Sequence, residues 1–261
     1  MTIAAEPEPA GRVLRRWRER RRLSQLELSI RAEISTRHLS FIETGRSRPT
    51  PEMILRLADQ LDMPLRERNA ALLAGGYAPR YPRSELGAPE LAEVRAALRS
   101  VLTGHEPYPA LVLNRWWELL DGNAAVPPLV EGAAAHLLEP PVNVLRLTLH
   151  PDGLARRIVN LAQWRAHLLG QLRRRADHLG DDRLAGLHEE LLAYPGGLDH
   201  AVPAQRVVLP LRLRVEGGEA ALFSVASRVE TAADVTVEEL TIETFYPADA
   251  ATAELFRTRL S

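Results

Sequence analysis

Apolar residues recur along the first third of the chain at the three- and four-residue spacing of amphipathic helices, and polar runs cut the pattern into short pieces. Val13, Leu14 and Trp17 predict a first helix over about 12–22, with Arg15, Arg16, Arg18, Arg20 and Arg21 on its solvated faces. Leu26, Leu28 and Ile30, then Leu39 and Ile42, supply apolar anchors for two further short helices separated by a few residues. Ser24 opens the second helix, with Glu27 closing an S-x-x-E capping box. Ser35 opens the third, and Gly45 is placed to end it in a left-handed cap. Thr50 and Pro51 start a fourth helix carrying Ile54, Leu57, Ala58 and Leu61, and a fifth runs from about Pro64 to Gly75-Gly76. The stretch YAPRYPRS at 77–84 reads as a linker.

The pattern then becomes mixed. A helix is predicted over about 89–103, followed by short strands at 110–113 and 116–120 joined at Asn114-Arg115. Leu145, Leu147 and Leu149 alternate with Arg146 and Thr148, which predicts a strand over 142–150 ended by Pro151-Asp152-Gly153. Helices at about 161–177 and 182–193 precede strands at 206–215, 220–229 and 237–245, with a turn at Glu216–Glu219. A short helix from about Asp249 closes the chain. The expected architecture is an all-α N-terminal domain with linker at 1–83 and an α+β domain at 84–261.

Charge sharpens that division. The 261 residues carry a net charge of −1, yet residues 1–83 hold 16 arginines against 10 acids and the remainder 17 against 24. A basic N-terminal third suits a phosphate-facing domain, although the absence of lysine shows that arginine use also reflects a general bias. With no cysteine, disulfides and thiolate metal sites are excluded and an intracellular compartment is expected. MTIAAEPEPAGR lacks the apolar core of a signal peptide, and no apolar run reaches membrane-spanning length. A cytoplasmic protein, nucleoid-associated when on DNA, is the expectation, with no membrane partner.

The second and third helices form a helix-turn-helix whose exposed stripe can hydrogen-bond base edges in a major groove. Gln25 stands where its amide and free backbone N–H groups would hold a phosphate. Ser35, Thr36, Arg37, Ser40 and Phe41 face the DNA, with Arg37 the candidate for bidentate contact to a guanine and Phe41 for a thymine methyl. Arg46 and Arg48 would add salt-dependent backbone contacts. The segment LSQLELSIRAEISTRHLSFIETGRSRP closely resembles the phage-repressor type of helix-turn-helix found in the XRE family, over residues 11–77. The resemblance implies a five-helix, lambda-repressor-like bacterial domain that binds double-stranded DNA. It departs at Glu33, where the turn usually carries glycine; a side chain there at positive φ costs about 1 kcal/mol or more.

PYPALVLNRWWELLDGN, NVLRLTLHPDG, IVNLAQW and DVTVEELTIETFYPADAAT resemble the ligand-binding domain of MmyB-like regulators, over about 91–258. The resemblance implies a PAS-like fold around a pocket for a fatty acid or similar apolar carboxylate. It departs at Glu230-Thr-Ala, where the family often has Gly-Thr-Pro. Trp116, Trp117, Leu119, Leu161, Trp164, Phe223, Phe245 and Tyr246 are the candidate lining, or else plain core. Arg115, Arg146 or His150 is the candidate cation for a carboxylate.

Catalytic motifs are not found. His188-Glu189-Glu190 lacks a second histidine, and neither a Gly-x-Ser-x-Gly elbow nor a phosphate-binding glycine loop occurs. No metal or cofactor is expected. Arg173-Arg174-Arg175 reads as a wet helix face. The expected function is a transcription regulator, a homodimer on two half-sites about one helical turn apart, controlled by a small apolar ligand. In the alternative, the C-terminal domain is a ligand-free dimerisation or protein-interaction module.

Overall fold

The computed structural model describes residues 8–200 and 208–259. They fall into two compact units, one of residues 1–85 with 230–238 and one of 86–229 with 239–261. Residues 1–7, and Arg206 and Val207 of a predicted strand, lie outside the described residues.

The first unit is built on α1 (Ala10–Arg20), α2 (Gln25–Arg31), α3 (Thr36–Glu43), α4 (Pro51–Gln60) and α5 (Leu65–Ala74). The predicted caps form. Ser24 Oγ accepts from Glu27 N at 3.1 Å while Glu27 returns a carboxylate oxygen to Ser24 N at 2.7 Å, a complete capping box. Ser35 accepts from His38 N, Thr50 from Met53 N, and Gly45 ends α3 at φ 75°. Leu14, Trp17, Leu28, Leu39, Ile42, Ile54, Leu57 and Leu72 close the core. α1 crosses the end of α3 so closely that a Cβ on Gly11 would sit 1.9 Å from the Ile42 carbonyl oxygen, so only glycine fits.

Two expectations for this unit need correcting. Leu26 and Ile30 are not anchors: they are 59% and 67% exposed. On a helix of 3.6 residues per turn the positions two before and two after Leu28 turn away from it, and Ser29 takes the inward place instead. Arg18 is not on a solvated face either, but buried against Glu43.

The second unit contains α6 (Ala92–Gly104), β1 (Ala110–Leu113), β2 (Leu119–Gly122), α7 (Pro127–Val130), α8 (Val144–Leu149), α9 (Leu161–Leu179) and α10 (Asp182–Leu192). It continues with β3 (Leu211–Val215), β4 (Gly218–Ser227), β5 (Thr241–Pro247) and α12 (Ala250–Arg259). The strands form one antiparallel sheet in the PAS-like order β2-β1-β5-β4-β3. Residues 142–150 are not a strand. Asn143 caps a short helix by accepting from Leu145 N and Arg146 N, and Leu145, Leu147 and Leu149 are all buried. A short helix buried nearly all round mimics a two-residue period, and that misled the periodicity.

The predicted strand at 116–120 also starts later, at Leu119, because Asn114 organises a tight turn. Its side-chain oxygen accepts from Trp116 N and Glu118 N, and Trp117 is held at φ 59°. The predicted strand over 237–245 divides. Its start belongs to α11 (Val235–Glu238), which packs within the first unit, and β5 begins at Thr241. There Glu238 accepts from Leu65 N at 2.8 Å. That carboxylate serves the start of α5, where the N-cap residue Pro64 has no side-chain acceptor. Asp234 accepts from Ser84 N, and Val235 N donates to Pro82 O.

Candidate DNA-binding surface and ligand cavity

α3 offers its exposed side through Arg37, with Ser40 and Phe41 half-buried beside it. The Arg37 guanidinium lies 5.3 Å from the Phe41 ring centroid and that of Arg46 5.9 Å, so one aromatic ring serves two cations. Thr36 Oγ1 lies 2.9 Å from the buried Ser29 hydroxyl, which ties the start of α3 to α2. Ser35 spends its hydroxyl on the cap. Glu33 takes the turn at φ 53°. The Gln25 amide donates to Glu43 at 2.8 Å, and Arg48 donates to Gly75 O at 2.8 Å while lying over Tyr77. Both side chains are therefore engaged inside the domain.

The anchor for this arrangement is one carboxylate. Glu43 accepts from Arg18 Nε at 2.7 Å and Nη2 at 2.9 Å, a bidentate pair buried on both sides, as well as from Gln25. Three helices meet at it. The pair holds the Arg18 guanidinium above its ordinary range, the hydrogen bond to Glu43 being the main cause. Arg18 Nη1 also donates to Leu23 O.

In the second unit a cavity of about 620 Å³ lies between α9 and one face of the sheet. The α9 wall is Trp164, His167, Leu168, Gln171 and Arg175, a single stripe at helical spacing. The sheet wall is Leu111 and Leu113 of β1, Thr241, Glu243 and Phe245 of β5, and Ser224 and Ala226 of β4. Register places them on one face: Leu111 pairs with Glu243, Leu113 with Thr241, Phe245 with Ser224. Trp117 and Arg228 complete one end.

The charge in this cavity is arginine. The Arg175 guanidinium lies over the Trp117 ring at 4.5 Å and has no hydrogen bond among the described residues, its Nε buried. Burial, with Arg228 and Arg115 as like-charged neighbours, lowers it to about 10, still protonated at neutral pH. Burial pushes the Glu243 carboxyl up, partly offset by a hydrogen bond with Ser224. Trp164 Nε1 and Thr241 Oγ1 are also buried without a hydrogen-bond partner among the described residues.

Of the residues named from sequence, Trp117, Trp164, Phe223 and Phe245 line the cavity. Trp116, Leu161, Arg115, Arg146 and His150 do not. Trp116 Nε1 donates to Asp181. Leu161 packs into the neighbouring core. Arg115 pairs with Glu239 and Asp181, Arg146 forms a two-bond pair with Glu190, and His150 packs edge-on against Tyr194. Arg173 and Arg174 are exposed as expected of a wet face, but Arg175 turns inward. The signal was present: Arg175 falls eleven residues, three turns, after Trp164.

A basic helix-turn-helix unit and a PAS-like unit with an amphipathic cavity define the class of helix-turn-helix regulators that carry a ligand-binding domain. Residues 94–258 match the MmyB-like transcription regulator ligand binding domain, and residues 10–71 match a helix-turn-helix domain. The chain belongs to the MmyB-like transcription regulators. No curated protein matches it. Among solved structures it is similar to an RNA-binding light-oxygen-voltage receptor at 12% identity and a TM-score of 0.24. That similarity covers 95% of this chain and 61% of the receptor, and carries no argument at that score. Among the described residues no helix is long and apolar enough to cross a membrane.

Proposed function

We propose that a dimer of this chain reads an operator through α3, and that an apolar carboxylate such as a fatty acid, held in the cavity of the second unit, shifts that binding. The observation that carries the ligand reading is the Arg175 guanidinium. It is half-buried at the end of a largely apolar cavity, its Nε fully buried and without a hydrogen-bonding partner among the described residues. A desolvated cation of that kind is expensive unless an anion joins it. For the DNA reading, support comes from Arg37, exposed on α3 and braced by Phe41. Control requires the ligand to favour one state of the protein; tight binding alone shifts nothing. Chain connectivity supports such coupling, because the segment 230–238 that joins cavity strands β4 and β5 folds as part of the helical unit.

Two measurements test the reading. Organic extraction of the purified chain followed by mass spectrometry should release a carboxylic acid; material free of any such molecule, and failing to bind one, returns the domain to a dimerisation or partner module. On the DNA side, Arg37→Ala should cost about 1–3 kcal/mol and relax one base position. Equal weakening on all sequences would make Arg37 a phosphate contact instead.

A further inference from the structure

The cavity has an unmet polar group at each end, and the two ends are far apart. Arg175 and Trp164 are separated by eleven residues of one continuous helix, a rise of about 16 Å. The sheet gives an independent measure. Thr241, whose hydroxyl is also unpaired among the described residues, lies four residues from Phe245 along β5, about 13 Å. Arg175, Arg228 and Thr241 gather at one end with Trp117, as the guanidinium 4.5 Å from that ring and the pairing of Leu113 with Thr241 require. Trp164 stands at the other end, in the cluster of Leu154, Ile158, Leu211 and Phe245. Its indole N–H is buried and donates to nothing among the described residues, although it stacks on His167.

A plain saturated fatty acid would satisfy Arg175 and lay a methyl end against the Trp164 N–H, leaving a buried donor unmet. Leaving such a donor unpaired is expensive. We propose that the ligand is bifunctional: an elongated apolar carboxylate that carries a second oxygen, a hydroxyl or carbonyl, at its far end. The carboxylate takes Arg175, with Arg228 and Thr241 beside it, and the distal oxygen accepts from Trp164 Nε1. This rests on the carboxylate reading above and narrows its chemical class.

The test compares dodecanoic acid with ω-hydroxydodecanoic acid on the full-length chain by calorimetric titration after delipidation. The hydroxy acid should bind about tenfold tighter, and Trp164→Phe, which keeps the ring but removes the N–H, should bring the ratio to within about twofold. Arg175→Met should weaken both acids together. Equal binding of the two acids by the unaltered chain, or a preference that survives Trp164→Phe, would overturn the bifunctional ligand while leaving a carboxylate site intact. Failure of both acids to bind would remove the carboxylate site as well. The unaltered chain answers the central question alone, so instability of a variant does not decide it.

Discussion

Glu43 is where the recognition helix is most exposed to error, because one carboxylate answers for three helices. Glu43→Leu removes the acceptor of three hydrogen bonds, two from Arg18 and one from Gln25, and leaves an arginine that is 8% exposed charged inside the domain. Breaking one side of a buried pair costs about 3–5 kcal/mol. A helical unit of this size has on the order of 4–11 kcal/mol in total, so the loss is a large share of it. At about 4–8 °C per kcal/mol for a domain this small, its melting temperature should fall by 12 °C or more. Removing both charges is a different perturbation. Arg18→Met with Glu43→Leu leaves no stranded ion, and the pair of apolar side chains should lie within about 1 kcal/mol of the parent.

Native-state hydrogen exchange at the Leu14, Leu28 and Leu39 amides reads this unit inside the full chain. The double-mutant cycle should show a coupling of at least about 2 kcal/mol. A single variant that costs under about 1 kcal/mol, or a double variant as damaged as the single, would refute the claim that desolvated charge dominates. DNA affinity offers a second readout. In the double variant Gln25 loses its acceptor, so binding to duplex DNA should weaken even where stability is kept.

The remaining predictions concern backbone strain and protonation. Glu33→Gly relieves a side chain at φ 53° and should raise the stability of the helical unit by about 0.5–1 kcal/mol, after the entropy that glycine adds to the unfolded chain; no gain in its melting temperature would show the turn to be unstrained. His167 is held below its ordinary 6.5 by burial first and Arg174 second. The unfolded chain therefore binds the proton first as pH falls, and stability present above about 6.5 declines below it until the folded state protonates too. His167→Gln should remove that part of the pH slope in urea midpoints taken between pH 7.5 and 5, and identical slopes for variant and parent would discard the idea.

The helix-turn-helix was readable because its signals are local. Ser24 with Glu27, Ser35, and Thr50 before Pro51 each act within one turn, and each forms the cap expected of it. The missing glycine at 33 pointed correctly to positive φ. What stayed hidden depends on distant partners. Nothing near Arg18 in the sequence says that Glu43, twenty-five residues on, will bury it. Likewise Glu238 sits in a stretch of β-branched residues that reads as strand; Asp234 starts a helical turn there by accepting from Thr236 N at 2.7 Å, and the bond that gives Glu238 its role is to Leu65 N, 173 residues away.

The cavity was half legible for a related reason. Aromatic residues announce apolar surface wherever they fall, so Trp117, Trp164, Phe223 and Phe245 could be named without knowing which strands met. A cation announces nothing by itself, since arginine is common throughout this chain and most copies face water or a carboxylate. Conspicuous candidates beside the tryptophans, Arg115 above all, have carboxylates of their own. The arginine that lacks one is masked by two exposed neighbours in a run of three, and its inward turn follows from helical phase alone: 164, 167, 168, 171 and 175 share a stripe, while 173 and 174 do not. Chain phase, set by a tryptophan three turns earlier, therefore decides which of three identical side chains lines the cavity. Lengthening α9 by one residue between Leu168 and Gln171 would turn a different arginine inward, and ligand affinity should then move with the phase rather than with the composition of the run.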